Sequence, residues 1–243
     1  MSLTFLIIGL SICALSTLVF LCTRVKKGGL AGLFTKIIAS VCFVMLSVFL
    51  SFGKTQVGYY ASLPIGLIIV GLVLGLVGDI VLDLKVMYEF HNNQYLTCGM
   101  TSFSMAHIFN IAAILTFANT QLSIQNYLIP IAIMIGASIV LTLIISLIST
   151  KVLKLNYGKH AVLTNIYCFI LLLTTILSIY FTIILQNYSM IILATGLVFF
   201  LTSDLILSMQ YFGGKQGDKK LIVLNHFTYY LAQVLIATFI YFI

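Results

Sequence analysis

Long apolar runs divide the sequence, and each is about as long as a membrane is thick. An α-helix needs about 20 apolar residues to cross the hydrocarbon core of a bilayer. Hydropathy and the polar breaks predict eight such helices, at 2–22, 33–52, 58–82, 99–118, 126–148, 161–185, 188–210 and 221–242. Since 62% of the residues are hydrophobic and only 7% are charged, no soluble domain of this length is expected. We predict an all-α integral membrane protein, with residues 1–243 forming one polytopic domain.

The predicted connections are short, so consecutive helices are expected to be antiparallel neighbours in a single bundle. Ten of the twelve Lys and Arg residues lie in or beside the odd-numbered connections, and Lys54 lies in an even-numbered one. The positive-inside rule therefore places the odd-numbered connections in the cytoplasm and both termini outside it. Lys36, the twelfth basic residue, begins the second helix, where it either snorkels to the interface or takes part in function.

Charge and cysteine usage argue against several classes of protein. The formal net charge of +7 does not indicate nucleic-acid binding, because the basic residues occupy short loops beside lipid head groups. The five cysteines lie in or beside apolar runs without zinc-ligand spacing, so we expect reduced thiols. The segment 1–22 lacks a basic region before its apolar run and is interpreted as a retained first helix. No H-x-x-x-H, H-E-x-x-H or G-x-S-x-G motif occurs, so a zinc hydrolase is disfavoured, while a serine nucleophile stays an open alternative.

Two acids, Asp79 and Asp204, interrupt apolar helices and are the best candidates for chemistry. A buried carboxylate needs a partner, a proton or a function. On the predicted topology both acids lie in the cytoplasmic half, as do Lys36, His107 and His226, which predicts a polar cavity that opens inward. Asp79 has no basic residue within helical reach, so its partner is on another helix or is a proton. Asp83, one turn later, is expected to be ordinary polarity near the head groups.

The last helix carries His226, Tyr229, Tyr230 and Gln233 at i, i+3, i+4 and i+7, which places all four on one stripe. Such a stripe is either a polar packing seam or the wall of a cavity, and four polar residues together favour the wall.

Two further patterns occur on the third and fourth helices. Gly71, Gly75 and Asp79 recur at every fourth position, which predicts a small-residue ridge that lets a neighbouring helix approach. His107 and Asn110 share a face of the fourth helix, either as satisfied hydrogen-bonding residues or as members of the site.

The order of four motifs carries a family resemblance. They are Gly78-Asp79, Phe103-x-x-Ala106-His107, Ser203-Asp204-x-x-Leu207 and Thr228-Tyr229-Tyr230-Leu231-Ala232-Gln233. In these motifs, in length and in span count, the chain resembles the YhhN family of membrane lysoplasmalogenases. Lys36 resembles the Lys of that family's second helix but is followed by Ile37 where proline is common. Asn110 replaces an aromatic residue and Asp83 an apolar one, and these departures bear on substrate preference more than on the reaction.

The resemblance implies hydrolysis of the vinyl ether bond of a lysophospholipid, the lysoplasmalogen, to a fatty aldehyde and glycerophospho-ethanolamine or -choline, without a cofactor. Protonation of a vinyl ether gives an oxocarbenium ion that water captures. By analogy with glycosidases, Asp79 and Asp204 would form an acid/base pair, in either order. Lys36 would hold the phosphate. The residues expected to orient the water and the glycerol end, or to line the pocket, are His107, Asn110, His226, Tyr229, Tyr230 and Gln233.

Two other functions stay open from the sequence. A proton-coupled transporter or lipid carrier would use the same acids to relay protons, and a purely structural membrane protein would leave both acids unexplained. The Ile-, Lys- and Asn-leaning composition favours a bacterial cytoplasmic membrane.

Overall fold

The computed structural model describes residues 3–54, 59–88 and 91–243, and it confirms the predicted all-helical membrane fold. Eight helices in these ranges are long and apolar enough to cross a membrane. They are α1 Leu3–Lys26, α2 Gly29–Phe52, α3 Tyr59–Met87, α4 Asn92–Gln121, α5 Leu128–Leu147, α6 Ala161–Leu185, α7 Tyr188–Phe212 and α8 Lys219–Phe242. The starts predicted for the first and third helices, residues 2 and 58, lie outside the described residues.

Several helices are longer than hydropathy predicts. The end of α1 is Lys26 instead of residue 22, α3 continues to Met87 instead of residue 82, and α4 begins at Asn92 instead of residue 99. The reason is that hydropathy falls where the first polar side chains appear, whereas the helical backbone continues to hydrogen-bond to itself. As a result, Asp83 and Lys85 belong to α3 and not to the following connection.

The helices pack around α3 and α8. Helix α3 contacts α2, α4 and α8, and α8 also contacts α1, α2 and α7. Helix α6 contacts α4, α5 and α7. Helix α5 packs mainly on α6, lies at the edge of the bundle and buries few of its side chains. The polar residues of the site therefore lie on helices that are surrounded by other helices.

Four connections, α1–α2, α3–α4, α5–α6 and α7–α8, lie together at what we call the basic end. The amide of Asn156 donates to the carbonyl of Phe212 at 3.0 Å, which joins the α5–α6 connection to the end of α7. His160 Nε2 lies 3.0 Å from Asn93 Oδ1, and this contact joins the α5–α6 connection to the start of α4. Most Lys and Arg residues belong to this end.

The glycine ridge of α3 lets neighbouring side chains approach its backbone, as the sequence predicts. A Cβ at Gly71 would lie 2.8 Å from Asn110 Oδ1, and one at Gly75 would lie 2.8 Å from Gln233 Nε2. At Gly78 the same atom would lie 2.7 Å from the ring of Phe103. Glycine at these positions thus brings α4 and α8 close to α3.

We expect Gly78→Ala to destabilise the fold by about 1–3 kcal/mol, since the aromatic ring and two packed helices must shift. Gly66→Ala is the matched control on the same helix, because no atom lies within 4 Å of its added Cβ. This control should be neutral or more stable by about 0.5–1 kcal/mol. Thermal unfolding in detergent compares the two variants, and equal midpoints would show that the ridge does not set the packing.

Candidate functional site

Four charged residues from three helices form what we call the charge cluster: the partly buried Arg24 of α1, and the buried Lys36 of α2, Asp79 of α3 and Asp83 of α3. Lys36 Nζ lies 3.2 Å from Asp79 Oδ1 and 3.1 Å from Asp83 Oδ1. Arg24 forms an ion pair with the other oxygen of Asp83. The exposed fraction of each residue is only 4% for Lys36, 3% for Asp79 and 4% for Asp83. With two cations and two anions the cluster is formally neutral, which is what burial in an apolar bundle requires.

The charge cluster corrects the expectation for Asp83 and decides between the alternatives that the sequence left open for Lys36 and Asp79. Asp83 is not ordinary polarity near the head groups, because α3 continues past it and two cations enclose its carboxylate. Lys36 does not snorkel to the interface, since its ammonium points to two carboxylates inside the bundle. Asp79 has its partner on another helix, which was one of the two alternatives.

Hydroxyl groups hold the second oxygen of Asp79. Ser40 donates to Asp79 Oδ2 at 2.6 Å, and Tyr229 donates to the same atom at 2.8 Å. Gln233 in turn donates to the Tyr229 hydroxyl at 2.8 Å. The Tyr230 hydroxyl lies 3.0 Å from Ser40 Oγ. Three members of the predicted α8 stripe therefore fix the carboxylate of Asp79, directly or through one neighbour.

Asp204 of α7 has different partners. Its Oδ2 accepts a hydrogen bond from the hydroxyl of Tyr167 on α6. Over residues 3–54, 59–88 and 91–243, no Lys or Arg forms an ion pair with it. The two acids thus differ in their charge environment, although both lie inside the bundle.

Both acids line one small cavity of about 30 Å³, which we call the acid chamber. Its polar lining consists of Lys36, Asp79, Ser203, Asp204, Asn225, His226 and Tyr229, with Tyr211 at one side. The rest of the wall is Leu82, Phe103 and Leu207. A cavity of this size with several polar groups is large enough to hold one water molecule.

Two further cavities adjoin the acid chamber. An apolar cavity of about 90 Å³ shares Leu82, Phe103 and Asp204 with it and is lined mainly by side chains of α4, α6 and α7. It also includes Leu205, which is exposed on the outer surface of α7, so this cavity borders the lipid-facing side. A polar cavity of about 610 Å³ lies at the basic end and shares Tyr211 and His226 with the acid chamber.

Residues 31–240 match the YhhN family. The chain belongs to the YhhN family. The matched region contains both acids and Lys36, whereas Arg24 precedes it. No curated protein and no solved structure matches the chain.

The structure brings together only some of the predicted site residues. Lys36, Asp79, Asp204, His226 and Tyr229 line the acid chamber. Tyr230 and Gln233 lie behind it and contact the groups that hold Asp79.

His107 and Asn110 do not line the acid chamber. The exposed fraction of His107 is 0%, its ring packs edge-on against Phe200 at 4.6 Å, and neither ring nitrogen has a partner in the described part of the chain. Asn110 packs against Gly71 on α3.

Sequence reasoning missed Ser40, Tyr167, Asn225 and Arg24. Ser40 follows Lys36 by one helical turn, so the i, i+4 spacing was a usable signal. Asn225 donates to the carbonyl of Ser203 at 2.7 Å and precedes the predicted stripe by one residue. Tyr167 has no pattern around it that would connect it to Asp204.

In the described segments of this YhhN protein, no three His, Cys, Asp or Glu side chains are placed to hold a metal ion. All five cysteines are free.

We expect Lys36→Met to destabilise the protein by about 3–5 kcal/mol, because it leaves Asp79 as an uncompensated buried charge. Adding Asp79→Asn should recover part of this loss, since the unpaired charge is then removed. Denaturant unfolding in micelles measures both variants, with Lys151→Met as a control that removes an exposed cation. A double variant no more stable than Lys36→Met would contradict the ion pair.

Proposed function

We propose that this YhhN protein hydrolyses the vinyl ether bond of lysoplasmalogens, releasing a fatty aldehyde and glycerophospho-ethanolamine or -choline. The observation that supports this most is the acid chamber, where two carboxyl groups with different partners face one space of about 30 Å³. Vinyl ether hydrolysis needs a proton donor, a group that stabilises a cation, and one water molecule. The chamber offers room and chemistry for all three.

The different partners of the two acids support different catalytic roles for them. Asp79 stays ionised, because Lys36 neutralises it and two hydroxyl groups donate to its Oδ2. An ionised Asp204 would be a buried charge with no compensating cation, so Asp204 carries the proton. Tyr167 donates to Oδ2 of Asp204, which leaves Oδ1 to carry that proton. We therefore assign Asp204 as the general acid and Asp79 as the carboxylate that faces the cation.

The reaction then has two stages. Asp204 transfers its proton to the β-carbon of the vinyl ether, the double bond supplies the electron pair, and an oxocarbenium ion forms. The carboxylate of Asp79 stabilises this cation and accepts a proton from the water that adds to the α-carbon. The hemiacetal hydroxyl proton passes to the glycerol oxygen as the bond between that oxygen and the α-carbon breaks, which gives the aldehyde and the glycerol hydroxyl. The proton that Asp79 accepted returns to Asp204, so both acids regain their starting states and the net reaction consumes one water molecule.

We place the substrate in the acid chamber and in the two cavities that adjoin it. The first carbons of the alkenyl chain would enter the apolar cavity past Asp204, and the remainder would stay in the bilayer beside Leu205. The glycerol end would point to His226 and the polar cavity. Because Lys36 already contacts two carboxylates, we assign it to Asp79 and not to the phosphate. We place the reaction in a bacterial cytoplasmic membrane, which the composition favours.

Aldehyde release by the purified protein in detergent tests the proposal. The substrates are two lysolipids with the same chain length and head group, one with a vinyl ether and one with an ester. We expect aldehyde from the vinyl ether lipid and no fatty acid from the ester. Since no membrane gradient is present, aldehyde formation also excludes a function limited to transport. Cleavage of the ester alone, or of neither lipid, would overturn the proposal.

Asp204→Asn and Asp79→Asn should each lower kcat by about 100-fold or more, because each removes one partner of the acid/base pair. Asp218→Asn is the matched control: Asp218 is exposed and caps α8, and asparagine caps a helix equally well. Unfolding midpoints of all three variants show whether they fold. Full activity in either folded chamber variant would remove that acid from the mechanism.

A further inference from the structure

Lys85 on α3 is a second buried lysine, and its surroundings differ from those of Lys36. Its exposed fraction is 7%, and its ammonium lies 3.6 Å from the centre of the Tyr211 ring. None of the ion pairs in the described parts of the chain includes it. A ring face attracts a cation but does not neutralise it, so the charge of Lys85 lacks a counter-charge.

Two more unused donors lie on the wall of the same cavity. Lys85, Arg24 and Gln210 all line the polar cavity of about 610 Å³. Nε of Arg24 and Nε2 of Gln210 are buried, and neither has a hydrogen-bond partner in the described segments. Buried donors without partners are uncommon in folded proteins. These two donors, together with the uncompensated charge of Lys85 on the same cavity, indicate a ligand with several acceptor atoms.

The charge of the wall indicates an anion. Asp83 is the carboxylate on this wall, and both Arg24 and Lys36 already neutralise it. Lys85 therefore adds a net positive charge to the cavity. Asn92, Gln216 and His226 supply further polar groups around it.

We propose that the polar cavity binds a phosphate group, which Lys85, Arg24 and Gln210 contact. Phosphate has three or four acceptor oxygens, and its negative charge compensates the buried ammonium. The inference rests on the proposed function in one respect, since it names the lysolipid head group as the source of the phosphate. The polar cavity adjoins the acid chamber at Tyr211 and His226, so a phosphate bound there lies next to the acid chamber.

Binding of an uncleavable lipid tests this site without any dependence on hydrolysis. The ligands are a saturated 1-O-alkyl lysophosphoethanolamine and the corresponding 1-O-alkyl glycerol, which lacks the phosphate. Isothermal titration in detergent measures both, for the wild type and for Lys85→Gln, Gln210→Leu, Lys85→Arg and Lys151→Gln. We expect the wild type to bind the phosphate-bearing lipid at least about tenfold more tightly.

Lys85→Gln and Gln210→Leu should reduce this preference, Lys85→Arg should keep it, and the exposed control Lys151→Gln should keep it fully. Equal binding of the two lipids by the wild type would overturn the site. An equal loss of the preference in Lys151→Gln would also overturn the site, because the preference would then depend on the total charge of the protein and not on Lys85. Displacement of the lipid by millimolar inorganic phosphate supports a site that also takes the free ion, whereas no displacement supports the head group as the ligand. A preserved preference without aldehyde release would refute the hydrolase and keep the phosphate site.

Discussion

Neutralisation of buried charge is the interaction on which the arrangement of this bundle depends. Lipid contains no water to solvate a carboxylate or an ammonium, so each charge must meet its partner inside the protein. Lys36 between Asp79 and Asp83 fixes α2 against α3, and Arg24 adds α1 to the same contact. Tyr229 of α8 joins this group of contacts through its hydrogen bond to Asp79. Apolar surfaces alone pack in many registers, whereas these contacts specify one.

The same neutralisation makes the two acids chemically different. Asp79 belongs to the side of the acid chamber formed by α2, α3 and α8, where a cation and two hydroxyl groups support a negative charge. Asp204 belongs to the other side, where Tyr167 of α6 is its hydrogen-bond partner. Two identical side chains thus have different surroundings, which supports the complementary roles of acid and base that we propose for them.

Sequence reasoning located the spans and expected both acids inside the bundle, because both follow from the cost of placing polar groups in lipid. It did not find the partners, because the pairing of side chains on different helices leaves no local pattern. The expectation that Asp83 lies near the head groups was wrong for a related reason. Hydropathy predicts that a helix ends at its first charged residues, but a helix can continue past them when other residues neutralise their charges. His107 was expected in the site from its polarity, yet it packs among aromatic rings away from the acid chamber.

Asp83 and Arg24 depend on each other inside the bundle. With an apolar side chain at position 83, the buried guanidinium of Arg24 would have no counter-charge, so the two residues are useful only together. Asp83 and Arg24 both line the polar cavity, whereas neither lines the acid chamber. This pair therefore lies where we propose that the head group binds, and it is separate from the two acids to which we assign the reaction. That separation is the physical reason to expect that a change in this pair would alter head-group preference more than the proposed reaction.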